Sequence, residues 1–150
     1  VHSVLHPIVS KWFKKKFGSF SMPQKYSIVP IENRKNILLS SPTGSGKTLS
    51  AFASILSHLI DLSEKSKLDD KIYALYCSPL KALTRDIEVN LKQPLKEMEE
   101  MTGKKFGIRI GVRTGDTTAS EKSKMTRNSP HIMITTPESL AIVLTSKKFV

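Results

Sequence analysis

Apolar positions along this chain follow two rhythms: stretches with the helical period of about 3.6 and short continuous runs of strand length. Ile8, Val9, Trp12, Phe13 and Phe17 recur at helical spacing, with Lys11, Lys14, Lys15 and Lys16 between them. A helix is therefore predicted from about His6 or Pro7 to Phe17, with Pro7 tolerated in its first turn. A short helix is predicted from Pro23 to about Ile31, ended or kinked by Pro30. Ile37-Leu38-Leu39 is an apolar run, read as the first strand. The amphipathic segment Leu49 to Leu62 puts Leu49, Phe52, Ala53, Leu56, Leu59 and Ile60 on one face and Ser50, Ser54, Ser57 and Asp61 opposite. Ile72 to Cys77 reads as a second strand, apolar on both faces, with Cys77 as a small core residue. After Ser78-Pro79, a long helix carries Leu83, Ile87, Leu91, Leu95 and Met98. It must kink or restart at Pro94, and Gly103 ends it. Ile108 to Val112 is a third strand. Thr118 to about Arg127 is a short helix that Thr118 and Glu121 open as a capping box. Ile132-Met133-Ile134 is a fourth strand, and a last helix begins with Pro137 in its first turn.

Strands alternate with helices and no hairpin signal intervenes. This predicts an α/β fold with a mostly parallel sheet and right-handed crossovers. Ligands in such sheets bind at the carboxyl ends of the strands, and the polar turns of this chain follow its strands.

A chain of 150 residues suggests one domain or a piece of a larger one. Lys plus Arg number 24 against 13 Asp plus Glu, a net charge of +11. That excess favours a polyanionic partner such as nucleic acid or an anionic membrane, with a basic surface lacking any specific partner as the alternative. No apolar run approaches the ~18 residues of a spanning helix. Cys77 is the single cysteine, so no disulfide framework exists, which fits a reducing, cytoplasmic setting. His2 and His6 are four apart, but with no thiol or further ligand nearby they do not suggest a metal site.

Chemistry concentrates between the Ile37–Leu39 run and the next helix, at Ser40-Ser41-Pro42-Thr43-Gly44-Ser45-Gly46-Lys47-Thr48. Strand, glycine turn and helix form the context of a phosphate-binding (Walker A) loop, in which inward-pointing N–H groups and the helix N-terminus meet the anion. Gly44 and Gly46 supply positive φ. Lys47 brings charge to the β- and γ-phosphates, and Thr48 offers a hydroxyl ligand to Mg²⁺. Ser41 stands where the strict pattern has its first glycine. A Gly/Ser-rich turn without a ligand is the alternative.

Pro42 to Thr48 resembles the helicase form of this loop. With four further stretches, the chain resembles the front half of the first motor domain of a superfamily 2 helicase of the large helicase-related (Lhr) group of bacteria and archaea. The resemblance implies a RecA-like P-loop NTPase fold with helices on both faces of the sheet, residues 1–150 being the N-terminal part of the ATP-binding domain. Trp12-Phe13, Phe17-Gly18 and Pro23-Gln24 resemble the Q motif. There Gln24 would hold the adenine edge, its amide matching N6 and N7 with one donor and one acceptor, and Phe17 would stack on the base. A solvent-facing Gln24 and a core-packed Phe17 are the alternatives. Ser41, Pro42, Thr43, Gly44, Ser45, Gly46, Lys47 and Thr48 correspond to motif I, with Lys47 and Thr48 serving phosphoryl transfer. Ser78-Pro79-Leu80-Lys81-Ala82-Leu83 resembles motif Ia, which touches the nucleic-acid backbone; a plain helix start is its alternative. Arg113-Thr114-Gly115-Asp116-Thr117 resembles the following turn, and Thr135-Thr136-Pro137-Glu138-Ser139-Leu140 resembles motif Ib. Ser78, Pro79, Lys81, Gly115, Asp116, Thr117, Thr136 and Pro137 are thus expected on a nucleic-acid track, with Glu138 capping the last helix.

The sequence contains no Asp-Glu-x-His or Asp-Glu-Ala-Asp, the motif that holds Mg²⁺ and positions water. The coupling motif and the second motor domain are absent too, and phosphoryl transfer requires such charges. The expectation is part of a longer ATP-dependent helicase that uses ATP and Mg²⁺ on single-stranded DNA or RNA. Its partners would be the remaining motifs and the second motor domain, with no membrane role. A non-enzymatic nucleic-acid-binding fragment is one alternative. A P-loop kinase is another, though an arginine-rich lid and an acidic substrate site are not seen.

Overall fold

The computed structural model describes residues 1, 3–79 and 87–146. Two compact units divide the chain, one of residues 1–67 with 86–106 and one of residues 68–85 with 107–150.

The first unit is helical: α1 (Pro7–Phe17), α2 (Met22–Glu32), α3 (Lys47–Glu64), a π-helical turn (Glu88–Lys92) and α4 (Gln93–Thr102). His6 opens α1, its Nδ1 accepting the Ile8 N–H at 3.3 Å while Nε2 meets Glu64 at 3.0 Å. Its role is capping and clamping; His2 lies outside the described residues. The α3 stripe is core, with Phe52, Leu59 and Ile60 wholly buried, each worth roughly 1.5–3 kcal/mol. The serines expected on the solvent face are buried as well. Serine is small enough to pack, and a hydroxyl can find a backbone partner. Ser57 Oγ accepts the His6 N–H at 2.7 Å, and Ser50 Oγ donates to the Gly46 carbonyl at 3.1 Å.

Two prolines act differently. Pro30 sits inside α2, which continues to Glu32. Pro94 cannot donate to the carbonyl four residues back, that of Asn90, and its ring crowds that oxygen. The chain widens there into the π-helical turn Glu88–Lys92 before α4 resumes. Gly103 ends α4 with φ 66°.

The strand expected at Ile37–Leu39 is not formed. Residues 35–42 have no regular structure, and Leu38 is 98% exposed. An apolar run becomes a strand only where a neighbour takes up its N–H and C=O groups, and among the described residues this run has no ladder partner.

The second unit holds β1 (Ala74–Cys77), β2 (Ile110–Arg113), α5 (Ala119–Arg127), β3 (Ile132–Thr135) and α6 (Pro137–Leu144). The sheet is parallel, as expected, in the order β1-β3-β2. Only the central β3 is buried at all four positions. At the edge, β1 alternates, and Leu75 is 45% exposed. Cys77 is exposed, not a core residue. A central strand has a neighbour on each side, whereas an edge strand keeps one flank open. The capping box of α5 forms, with the Thr118 N–H on Glu121 Oε2 at 2.9 Å and the Glu121 N–H on Thr118 Oγ1 at 3.3 Å. Cys77 and Arg113 both pair with Thr135, so the three strands end level. Ser78, Thr114 and Thr136 therefore emerge together at the carboxyl edge of the sheet.

Candidate functional site

The phosphate-loop segment builds its curl at two left-handed glycines, Gly44 at φ 80° and Gly46 at φ 89°. Gly46 is the N-cap of α3 and leads into Lys47. A Cβ at Gly46 would run into the Gln24 amide nitrogen, so absence of a side chain is required there twice over. Lys47 Nζ donates to the carbonyls of Ser41 and Pro42, the latter at 2.9 Å. Ser41 and Ser45 share a hydrogen bond between hydroxyls at 2.6 Å. The residue that departs from the strict motif thus braces the loop across its mouth. Thr48 is half-buried in the first turn of α3.

Gln24 is not solvent-facing: it is 5% exposed. Its Oε1 accepts the Ser21 N–H at 2.8 Å, and its Nε2 donates to the Gly46 carbonyl at 3.4 Å. Ser21 Oγ donates to the Ser45 carbonyl at 2.9 Å. The start of α2 is therefore stitched to the loop by two hydrogen bonds. Phe17 is only partly a core residue. It packs edge-on to Trp12, centroids 5.7 Å apart, yet stays 48% exposed. Phe17, Gln24 and Gly46 line one cleft of ≈ 690 Å³. A smaller space of ≈ 320 Å³ is bounded by Thr43, Lys47, Thr48 and Asn90.

Two residues of this site escaped the sequence reading. Ser21 was legible, since Ser21-x-x-Gln24 has capping-box spacing. Asn90 was not, because its position follows from the π-helical turn.

In the second unit, the sheet edge gathers the other expected residues. Ser78 donates its N–H to the Thr135 carbonyl at 3.1 Å. Thr117 Oγ1 accepts the Thr114 N–H at 2.9 Å and donates to the Val112 carbonyl at 3.2 Å. Thr136 is buried; its Oγ1 accepts the Ser139 N–H at 3.4 Å and bonds Ser139 Oγ at 3.1 Å. Thr136, not Glu138, caps α6. Its extended backbone, φ −101° and ψ 160°, aims the hydroxyl at the first turn, whereas Glu138 is exposed on that turn. Both threonine hydroxyls shape their loops. Pro79, Gly115, Asp116 and Pro137 are exposed. Lys81 lies outside the described residues.

Just before β3, His131 is 1% exposed and its Nδ1 accepts the Arg109 N–H at 2.9 Å. Arg109 reaches Asp70 at 2.5 Å and the Ser129 carbonyl at 2.8 Å. Burial, then the Arg109 charge, hold this imidazole below the usual histidine range, against the opposing pull of Asp70. It is a neutral scaffold group that fixes the backbone of Arg109.

The family model described as DEAD/DEAH box helicase matches residues 21–150. Curated relatives include the ATP-dependent helicase Lhr-Core of Methanothermobacter thermautotrophicus, 51% identical over 99% of this chain and 18% of its own length. The Lhr helicase/uracil glycosylase of Escherichia coli is 40% identical over 96% of this chain and 10% of its own length. Among solved structures, Mycobacterium smegmatis helicase Lhr bound to ssDNA and AMP-PNP matches with a TM-score of 0.81 and 37% identity, covering 96% of this chain and 18% of that one. The chain thus spans 18% or less of the length of these relatives.

Proposed function

The chain belongs to the DEAD/DEAH box helicase family, and from that premise we propose that it grips ATP and a nucleic-acid strand for an ATP-dependent helicase of greater length. The observation that carries the reading is the stitching of Gln24 and Ser21 onto Gly46 and Ser45. It sets the amide that would read the base directly against the glycine loop that would hold the phosphates.

The residues fit a magnesium nucleotide. Gly44 and Gly46 turn the backbone at positive φ, as an anion nest needs. Lys47 has its ammonium inside the loop, and Thr48 stands at the start of α3 to ligate Mg²⁺. Gln24 faces the larger cleft beside Phe17, suited to the edge and face of adenine. Bound ATP supplies the phosphoanhydride whose cleavage drives a helicase. This chain binds and orients it: Lys47 neutralises phosphate charge, the helix dipole of α3 adds to that field, and Gln24 and Phe17 fix the base. The sequence holds no Asp-Glu motif to position water, so the 150 residues alone bind nucleotide without turnover.

At the sheet edge, Ser78 and the amides after Pro137 take the strand backbone, on loops whose shape Thr117 and Thr136 hold. The net charge of +11 over the whole chain favours a polyanionic partner. The ssDNA in the M. smegmatis structure favours a single strand as the ligand. No described helix is long and apolar enough to cross a membrane.

The test is Lys47→Ala, with MgATP affinity read by calorimetry. At least a tenfold loss is expected, since hydrogen bonds to a charged group contribute about 1.5–3 kcal/mol. Unchanged affinity overturns the reading.

A further inference from the structure

Resting on the nucleotide reading above, the geometry points to Asn90 as a ribose-recognising residue that reads a sugar hydroxyl of the bound nucleotide. The ≈ 690 Å³ cleft at Gln24 and Phe17 and the ≈ 320 Å³ space at Lys47 and Thr48 adjoin one another. Four residues border both: Gly44, Gly46, Leu49 and Asn90. The first three carry no polar side-chain atom. In a nucleotide with its base in the first space and its terminal phosphates in the second, the sugar lies at this junction. Of these four described residues, half-buried Asn90 alone has a side chain with both a donor and an acceptor. A hydroxyl uses both, whereas a phosphate oxygen accepts only. Gln93 also borders the cleft, but its Nε2 is given to Glu97 at 2.9 Å.

The backbone explains how Asn90 comes to be there. Pro94 removes the N–H that the Asn90 carbonyl would receive in an α-helix, and its ring presses on that oxygen. The resulting π-helical turn adds a residue to the helical circuit. It re-aims the side chains of the turn by about 100° relative to α4. π-helical turns inside helices recur at functional sites.

The test compares MgATP with Mg-2′-deoxy-ATP and Mg-3′-deoxy-ATP by equilibrium binding to the chain. Wild type is expected to favour ATP over at least one deoxy form by roughly two- to tenfold, the range for one neutral hydrogen bond. Asn90→Ala should collapse that ratio toward one. Pro94→Ala, which keeps Asn90 but restores the N–H, should lower it too. Equal weakening of all three nucleotides by Asn90→Ala marks a structural role and overturns the inference, as does a wild type that does not discriminate. A Pro94→Ala chain with the wild-type ratio overturns the positioning by the π-helical turn. Wild type binding none of the nucleotides, or Lys47→Ala leaving binding intact, instead sinks the nucleotide site itself.

Discussion

Replacing Gly46 with alanine separates two demands that the site makes on one residue. The backbone sits at φ 89° and ψ 18°, where an L side chain costs roughly 1–2 kcal/mol. The added Cβ would also overlap Gln24 Nε2, lying 3.3 Å from Gln24 Cδ and 3.5 Å from Ser21 Oγ. Gln24 is buried and can retreat only by breaking its hydrogen bonds to Ser21 and Gly46. At about 0.5–1.5 kcal/mol each, those bonds add about 1–3 kcal/mol. Gly44 is the internal control: its φ is 80°, and a Cβ there meets nothing within 4 Å. In urea unfolding, Gly46→Ala should therefore cost about 1–3 kcal/mol more than Gly44→Ala. Gln24→Ala removes the obstacle, so the Gly46→Ala and Gln24→Ala costs should not add. Equal costs for the two glycines, or strict additivity with Gln24→Ala, would refute the interlock.

Two further outcomes follow from the second unit. A Cβ at Gly111 would lie 2.8 Å from Pro130 Cγ and 2.9 Å from Met125 Sδ. Gly111→Ala should lose about 1–3 kcal/mol of stability by overpacking, and a neutral result in urea melts would contradict the close packing of β2 under Pro130. His131 has its pKa lowered by burial and by Arg109. The unfolded chain therefore takes up the proton first as pH falls. Stability is full above the unfolded value of about 6.5 and declines below it, toward the folded value. His131→Asn keeps an acceptor for the Arg109 N–H and cannot titrate, so it should flatten that decline. His58, lowered chiefly by its own burial, leaves a residual slope. Parallel pH profiles for wild type and His131→Asn would remove His131 from the account.

Local chemistry was legible where one residue decides it. Pro7 and Phe17 bound α1, Lys47 starts α3, Thr118 and Glu121 cap α5, and Ile132–Ile134 is a strand, all as the pattern predicted. Gln24 was singled out by resemblance to the family's motif, and the structure brings its amide against Gly46 of the glycine turn. What the pattern missed depends on neighbours far away in sequence. Ile37–Leu39 has the composition of a strand but no described partner for its backbone. Ser50, Ser54 and Ser57 look like a solvent face, yet other segments cover them. Cys77 lies in an apolar run that becomes an exposed edge. Thr136 displaced Glu138 as the cap because cap geometry depends on backbone angles that composition does not reveal. Asn90 needed the further step of following Pro94 back four residues.

The hold of Ser41 and Pro42 on the Lys47 ammonium means that the loop carries its own competitor. An arriving phosphate exchanges not bulk water but tethered carbonyl oxygens, present at the high local concentration that a short chain imposes. On the proposed nucleotide reading, affinity is then a difference between two ligand sets, one of them internal. The Ser41–Ser45 bridge lies in the same loop and sets the position of those carbonyls. On that reading, a substitution that loosens or stiffens this bridge retunes the apparent dissociation constant by changing the internal ligand set.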